Sequence, residues 1–339
     1  GTWVKYLSPF YYYNLDRPLI PSFNNTPAGA LLLLGLSLLF AGLSILLFVR
    51  RDSGRPAFTF QRQQKHNNHI AERSLHQAER DISVRTISLR ALSTQSWSAF
   101  WWLLGIVVYA GWDVLLIPSV QAPLKKALAQ TPILAKLFSG GDVGTNAGFL
   151  AVAVFSLMPA LVVTFAMTLA LTWSADLEDG RLELLLGTPK ARQSMLLERF
   201  GAILLLILLA PVLTWLAIIV SANIAQLSID QNNVLAASFS MLPLALVVMS
   251  LAYALAGRLR YGLVMGILTL YITLAFVAEF LQALFKFPDW VMALSIFHQY
   301  GNPIMNGMDW PSFLGMMGVA LALLIIGLVQ FRTSDIERG

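Results

Sequence analysis

The sequence predicts an all-α membrane protein of about seven transmembrane helices, and three observations lead there. Of its 339 residues 57% are hydrophobic and only 12% charged, where a soluble globular domain carries roughly 25% charged residues. The apolar residues fall into long uninterrupted runs, each near the roughly 20 residues a helix needs to cross a bilayer. The basic residues crowd into alternate gaps between those runs. Lipid offers a backbone no hydrogen-bond partner, so runs of this length are expected as helices, which satisfy their own amides.

The first run extends from Ala28 to about Arg50 and is nearly all Leu, Ala, Gly, Ile and Phe. The other six are expected at residues 99–118, 148–173, 197–222, 234–256, 261–283 and 312–331. If the segment after the first run is cytoplasmic, 17 of the 23 Lys and Arg residues lie inside, and only Lys5, Arg17, Lys125, Lys126, Lys136 and Lys286 lie outside. This positive-inside bias predicts a multi-pass protein of a bacterial cytoplasmic (inner) membrane, with the N-terminus of the chain outside and the C-terminus inside. Trp97, Trp101, Trp102, Trp112, Trp173 and Trp310 fall near run ends, as residues of an interfacial belt do. Pro159, Pro211 and Pro243 lie within runs, where a missing N–H kinks a helix.

Residues 51–98 are too polar for lipid, being rich in Gln, Asn, His, Arg and Ser. Ile82, Ile87, Leu89 and Leu92 lie among basic residues in the later part. Two readings fit that pattern: an amphipathic helix on the inner leaflet, or a solvated linker helix. His66, His69 and His76 share the same stretch, but their spacing fits no compact metal site.

The two ends of the chain resemble each other. Leu7-Ser8-Pro9-Phe10 with Tyr13 matches Leu294-Ser295-Ile296-Phe297 with Tyr300. Each is followed by a Pro (Pro18, Pro303), an apolar run and Phe-x-x-x-Asp, at Phe48 to Asp52 and at Phe331 to Asp335. Six crossings separate the two copies, so the repeat is parallel, an architecture known among transporters. Residues 1–50 are then an outer segment and the last span of a first half, 51–98 a linker, and 99–339 a complete six-span half. The chain opens at Gly1-Thr2-Trp3 without an initiator Met and is expected to begin inside a longer protein.

Between the third and fourth runs lies a cytoplasmic loop at 174–196 with both charge and an apolar ridge. Asp176, Glu178, Asp179, Arg181 and Glu183 keep it out of lipid. Leu182, Leu185 and Leu186 recur at i, i+3 and i+4, which predicts a short helix with acidic residues at its start. Gly187 and Pro189 stop it. Such a helix suits a groove on a soluble partner.

The string Glu178-Asp179-Gly180-Arg181-Leu182-Glu183-Leu184-Leu185-Leu186, with Thr188, Pro189 and Arg192, resembles the signature of ATP-binding-cassette exporter permeases of the type-2 class. Ser8 to Asn14 resembles the segment before the last span of a half in the double-length polyketide antibiotic exporter permeases. The resemblance implies that the loop is a coupling helix docking on a separately encoded ATPase, present in two copies. Glu178, Asp179 and Gly180 would start that helix, Leu182 to Leu186 would form its docking ridge, and Arg181, Glu183 and Pro189 complete the motif. It further implies a permease subunit that exports a hydrophobic or amphipathic small molecule, with ATP and Mg held by the partner and no cofactor in this chain. Five spans and a coupling loop of the first half are absent, so a missing half in the same or another chain is an expected partner. The alternative is an ABC-type sensor or mechanotransmission subunit that moves no solute.

The chain contains no phosphate loop, nucleophile elbow or dinucleotide fingerprint, so neither an ATPase site nor a catalytic centre is expected. Its basic residues are dispersed, which argues against nucleic acid. The absence of Cys removes disulfides and thiolate metal sites from consideration. Asp113 and Glu279 lie near outer run ends, either reaching headgroup water or handling substrate or protons. Phe10, Tyr11, Tyr12, Tyr13, Phe297 and Tyr300 form either interfacial anchors or an outer gate.

Overall fold

The computed structural model describes residues 31, 34–40, 42, 87–130, 144–178, 192–282 and 284–333. Contacts divide the chain into two units, Gly1–Arg73 and Ser74–Gly339. In the first, the described residues are helical and Leu31, Leu34, Leu38 and Leu39 are exposed, as the composition of that run predicts. The remainder of that run, residues 51–86 and the segment holding Phe10, Tyr11, Tyr12 and Tyr13 lie outside the described residues.

The second unit is built from helices, with no strand among the described residues. They are α1 (Ile87–Gln130), α2 (Asn146–Ala153), α3 (Met158–Glu178), α4 (Arg192–Ile224), α5 (Gln231–Phe239), α6 (Met241–Ala256), α7 (Tyr261–Leu281), α8 (Asp289–Leu294), α9 (Ile296–Tyr300), α10 (Pro303–Asn306) and α11 (Trp310–Thr333). Six stretches are long and apolar enough to span a membrane: Ser88–Lys126, Asn146–Leu177, Gln193–Ile224, Gln231–Ala256, Tyr261–Leu281 and Trp310–Arg332. They coincide in order and place with the last six predicted runs, so the chain is an all-α membrane protein.

The first of these spans begins earlier than its apolar run. Ala91, Gln95, Ala99, Leu103, Ile106, Ala110, Val114 and Ile117 are all buried, one after another at three- and four-residue intervals. One stripe therefore continues along α1 from its polar first turns into its apolar middle, and the helix does not stop where hydropathy does.

Two spans are broken rather than kinked. The second span turns at residues 154–157 between α2 and α3, and the fourth is interrupted at Ser240 between α5 and α6. Pro159 and Pro243 fall in the first turns of α3 and α6, where a helix has no partner for the missing N–H. Pro211 alone of the three lies deep inside a helix. A broken helix frees carbonyls that lipid cannot satisfy. Beside each break a tyrosine hydroxyl donates to a carbonyl: Tyr109 to Ala153 at 2.6 Å and Tyr300 to Ala237 at 2.9 Å.

The helices pack as two groups. In one, α1 lies along α4, and a Cβ at Gly111 would stand 3.0 Å from the Ser221 hydroxyl. In the other, α6 packs on both α3 and α11, with α7 against α3. The broken fourth span is buried over 78% of its apolar stretch and the sixth over 17%, so the broken spans form the centre and α11 faces outward along most of its surface. Within lipid, helices gain little from burying apolar area and associate through close fit, which favours small residues at contacts. Gly327 of α11 is such a contact: a Cβ there would lie 3.2 Å from the backbone nitrogen of Ala254.

Gly327→Val therefore has to push α6 and α11 apart and is expected to cost about 1–3 kcal/mol. Thermal unfolding in detergent should show a clear drop for this variant. Gly315→Val, on the same helix with no atom within 4 Å of its added Cβ, should unfold like the parent.

Candidate functional site

α3 ends at Glu178 and α4 begins at Arg192, so these two helices carry the ends of the expected loop. Glu178 is the last residue of α3, while Asp179, Gly180, Arg181, Leu182, Glu183, Leu185, Leu186 and Pro189 lie outside the described residues. What the structure does describe is the pair of roots from which the loop leaves.

Those roots are joined by one cation. Arg199, two turns into α4, places Nη2 2.5 Å from Oδ2 of Asp176 on α3. The Arg199 side chain is 12% exposed and that of Asp176 24%. The same Nη2 donates to the Thr172 hydroxyl at 3.2 Å, and the guanidinium lies 5.4 Å from the ring centroid of Trp173. Thr172 also accepts from Nε2 of Gln95 on α1 at 2.6 Å, while its own hydroxyl donates to the Leu169 carbonyl at 2.6 Å. A guanidinium this little exposed needs partners that offset its desolvation, and here a carboxylate, a hydroxyl and a π-face supply them.

Behind the cation lies a packed aromatic group. Trp173 stacks on Tyr253 of α6 at 5.5 Å with an interplanar angle of 6°, and meets Phe331 of α11 edge-on at 5.3 Å. Phe200 of α4 meets Tyr253 edge-on at 5.4 Å. Residues from α1, α3, α4, α6 and α11 thus converge at one end of the bundle. Trp173 is 1% exposed, which corrects its assignment to an interfacial belt: its indole is consumed by packing against two other helices, α6 and α11, and against the Arg199 cation of α4. Trp97, Trp101, Trp112 and Trp310 are exposed, as belt residues are.

At the opposite end, three short helices, α8 to α10, fill the connection between α7 and α11. Phe297 is buried edge-on against Phe276 at 5.7 Å, and Tyr300 is buried with its hydroxyl on the Ala237 carbonyl. Burial pushes the Tyr300 hydroxyl well above its ordinary pKa, so it stays a neutral donor. Glu279 is half-buried, accepts from Gln282 Nε2 at 2.6 Å and lies 3.3 Å from His298 Nδ1. Asp113 is half-buried on α1, one turn after Tyr109. No group of three or more potential metal ligands exists among the described residues.

Sequence reasoning treated Arg199 as one more inward charge, read Phe331 only as part of the repeat, and passed over Gln95 and Tyr253. A signal was present. Trp173 and Asp176 share a helix face three residues apart, and Arg199 enters an apolar run immediately before Phe200.

A six-span, all-α bundle of this length and apolarity defines an integral membrane protein. Residues 89–332 match the family described as the C-terminal domain of the multidrug efflux system permease Rv1217c, and the chain belongs to that family. The match covers the whole six-span unit, which makes the chain a multi-pass permease component of an efflux system, and a system of that kind implies other subunits. No curated protein matches the sequence.

The aromatic group makes a contrast that unfolding measurements can read. Trp173→Ala removes contacts with Tyr253, Phe331 and Arg199 at once and is expected to cost about 3 kcal/mol or more. The Tyr253 hydroxyl has no hydrogen-bond partner among the described residues, so Tyr253→Phe should leave the unfolding temperature unchanged or raise it.

Proposed function

We propose that this chain is the second six-span half of an ATP-driven exporter permease, closest in kind to the polyketide antibiotic exporters, moving a hydrophobic or amphipathic small molecule out of the cell. Family membership supports the efflux role. The energy comes from a separately encoded ATPase, in two copies, which binds ATP and Mg and grips the motif at Glu178 to Pro189. The carrying observation is the junction of Asp176 and Arg199: both ends of the motif emerge from one consolidated structure, so force delivered between them reaches the spans.

In this reading the end carrying Arg199 faces the cytoplasm of a bacterial inner membrane, and both chain termini follow the positive-inside orientation. The hairpin helices α8 to α10, held by Phe297 and Tyr300, form part of the outer gate. Asp113 and Glu279 flank the exit. The differential affinity of the ATPase for two arrangements of the spans drives the change. The efflux family favours transport over a sensor that moves no solute.

Copurification of the chain with its neighbouring ATPase, followed by substrate-stimulated ATP hydrolysis in liposomes, tests this. Burying one Leu is worth about 1.5–3 kcal/mol, so Leu185→Asp should weaken ATPase binding roughly 10- to 100-fold. Glu178→Ala should lower stimulated hydrolysis with a smaller effect on binding. Parental binding and hydrolysis in both variants would remove the loop from the mechanism.

A further inference from the structure

The second unit is two packing groups, and the helices that flank the 179–191 connection belong to different ones. α4 packs chiefly on α1, whereas α3 packs chiefly on α6, which in turn carries α11. Along their lengths α3 and α4 touch little. At the end where the connection leaves, however, the two groups are tied by Arg199 to Asp176, Thr172 and Trp173, by Phe200 to Tyr253, and by Gln95 to Thr172.

We propose that the Asp176–Arg199 pair, seated on Trp173, is the joint that passes motion of the 179–191 connection from one packing group to the other. Asp176 and Arg199 are positioning residues in this scheme: they touch neither solute nor nucleotide. The proposal rests on the coupling reading above and deepens it.

Three features of the contact make it a joint rather than ordinary packing. A carboxylate and a guanidinium form a directional contact that resists sliding and separation together. The indole face beneath restricts the guanidinium to one plane, so Arg199 swings with Trp173. Trp173 in turn stacks on Tyr253 and abuts Phe331, so displacement at Asp176 is delivered to α6 and α11 through rigid rings rather than flexible chains. Without the pair, the other ties named between the groups, Phe200 on Tyr253 and Gln95 on Thr172, are not ionic, and α4 follows the α3, α6 and α11 group less closely. A partner would then bind normally and move the two groups unequally.

The test uses the full chain assembled with its ATPase in liposomes, reading ATPase affinity, substrate-stimulated hydrolysis and dye efflux separately. Asp176→Asn is isosteric and leaves the apolar ridge at Leu182 to Leu186 untouched, so it should bind the ATPase with parental affinity yet lose roughly tenfold in stimulated hydrolysis and efflux. Arg199→Lys keeps the charge but loses the planar fork, and its activity should fall between that of Asp176→Asn and that of the parent. The exchange Asp176→Arg with Arg199→Asp should recover a large part of what the single changes lose, an outcome that a purely structural effect of either residue does not produce.

Parental efflux in Asp176→Asn would overturn the joint while leaving the coupling reading intact. A parent that neither binds the ATPase nor responds to it would instead defeat the coupling reading, and the joint with it. A lower unfolding temperature for Asp176→Asn that accounts for its lost efflux, with no recovery in the exchanged pair, would also count against the proposal.

Discussion

The arrangement depends on how an apolar bundle accommodates one cation, Arg199. An isolated guanidinium in such surroundings is costly. Here the cost is met by Asp176, Thr172 and the face of Trp173. Meeting it fixes the neighbours in turn. Trp173 must present its face to Arg199 and its other contacts to Tyr253 and Phe331, and Thr172 must remain free to accept from Gln95. One charge thereby sets the relation of five helices at one end of the bundle.

The opposite end obeys a different constraint. Beside the breaks at 154–157 and at Ser240, the Ala153 and Ala237 carbonyls accept from Tyr109 and Tyr300, and Glu279 pairs locally with Gln282 and His298. The Tyr300 bond holds α9 against the fourth span, and the Glu279–His298 contact holds it to α7. One end is linked through a single cation and its aromatic group, and the other through several pairwise contacts.

Much of the fold was legible in the sequence because lipid imposes a simple rule: long apolar runs become helices. All six spans of the second unit follow it. Where a run ended, the rule was silent about packing. The first turns of α1 are polar in composition yet carry the buried residues Ala91 and Gln95, and only the three-to-four spacing connects them to the stripe beyond. Pro159 and Pro243 announced irregular helices, but a proline marks a break and a first turn equally well, and neighbouring carbonyl partners decide between them. For the site, the loop motif was readable as a string, whereas the Arg199 group was not. Its members come from residues 95, 173, 176, 199, 253 and 331, and no local pattern relates positions that far apart.

If a partner takes hold of the chain between Asp176 and Arg199, at the inner face of the membrane, a probe placed in that stretch must report it. The chain has no Cys, so Thr188→Cys introduces a unique thiol into the motif. Its labelling by a membrane-impermeant maleimide is the most direct measurement. Labelling in inside-out vesicles, its absence in right-side-out vesicles, and protection when the ATPase is bound are the predicted results. Labelling from the outer side, or full reactivity with the ATPase in place, would contradict the account.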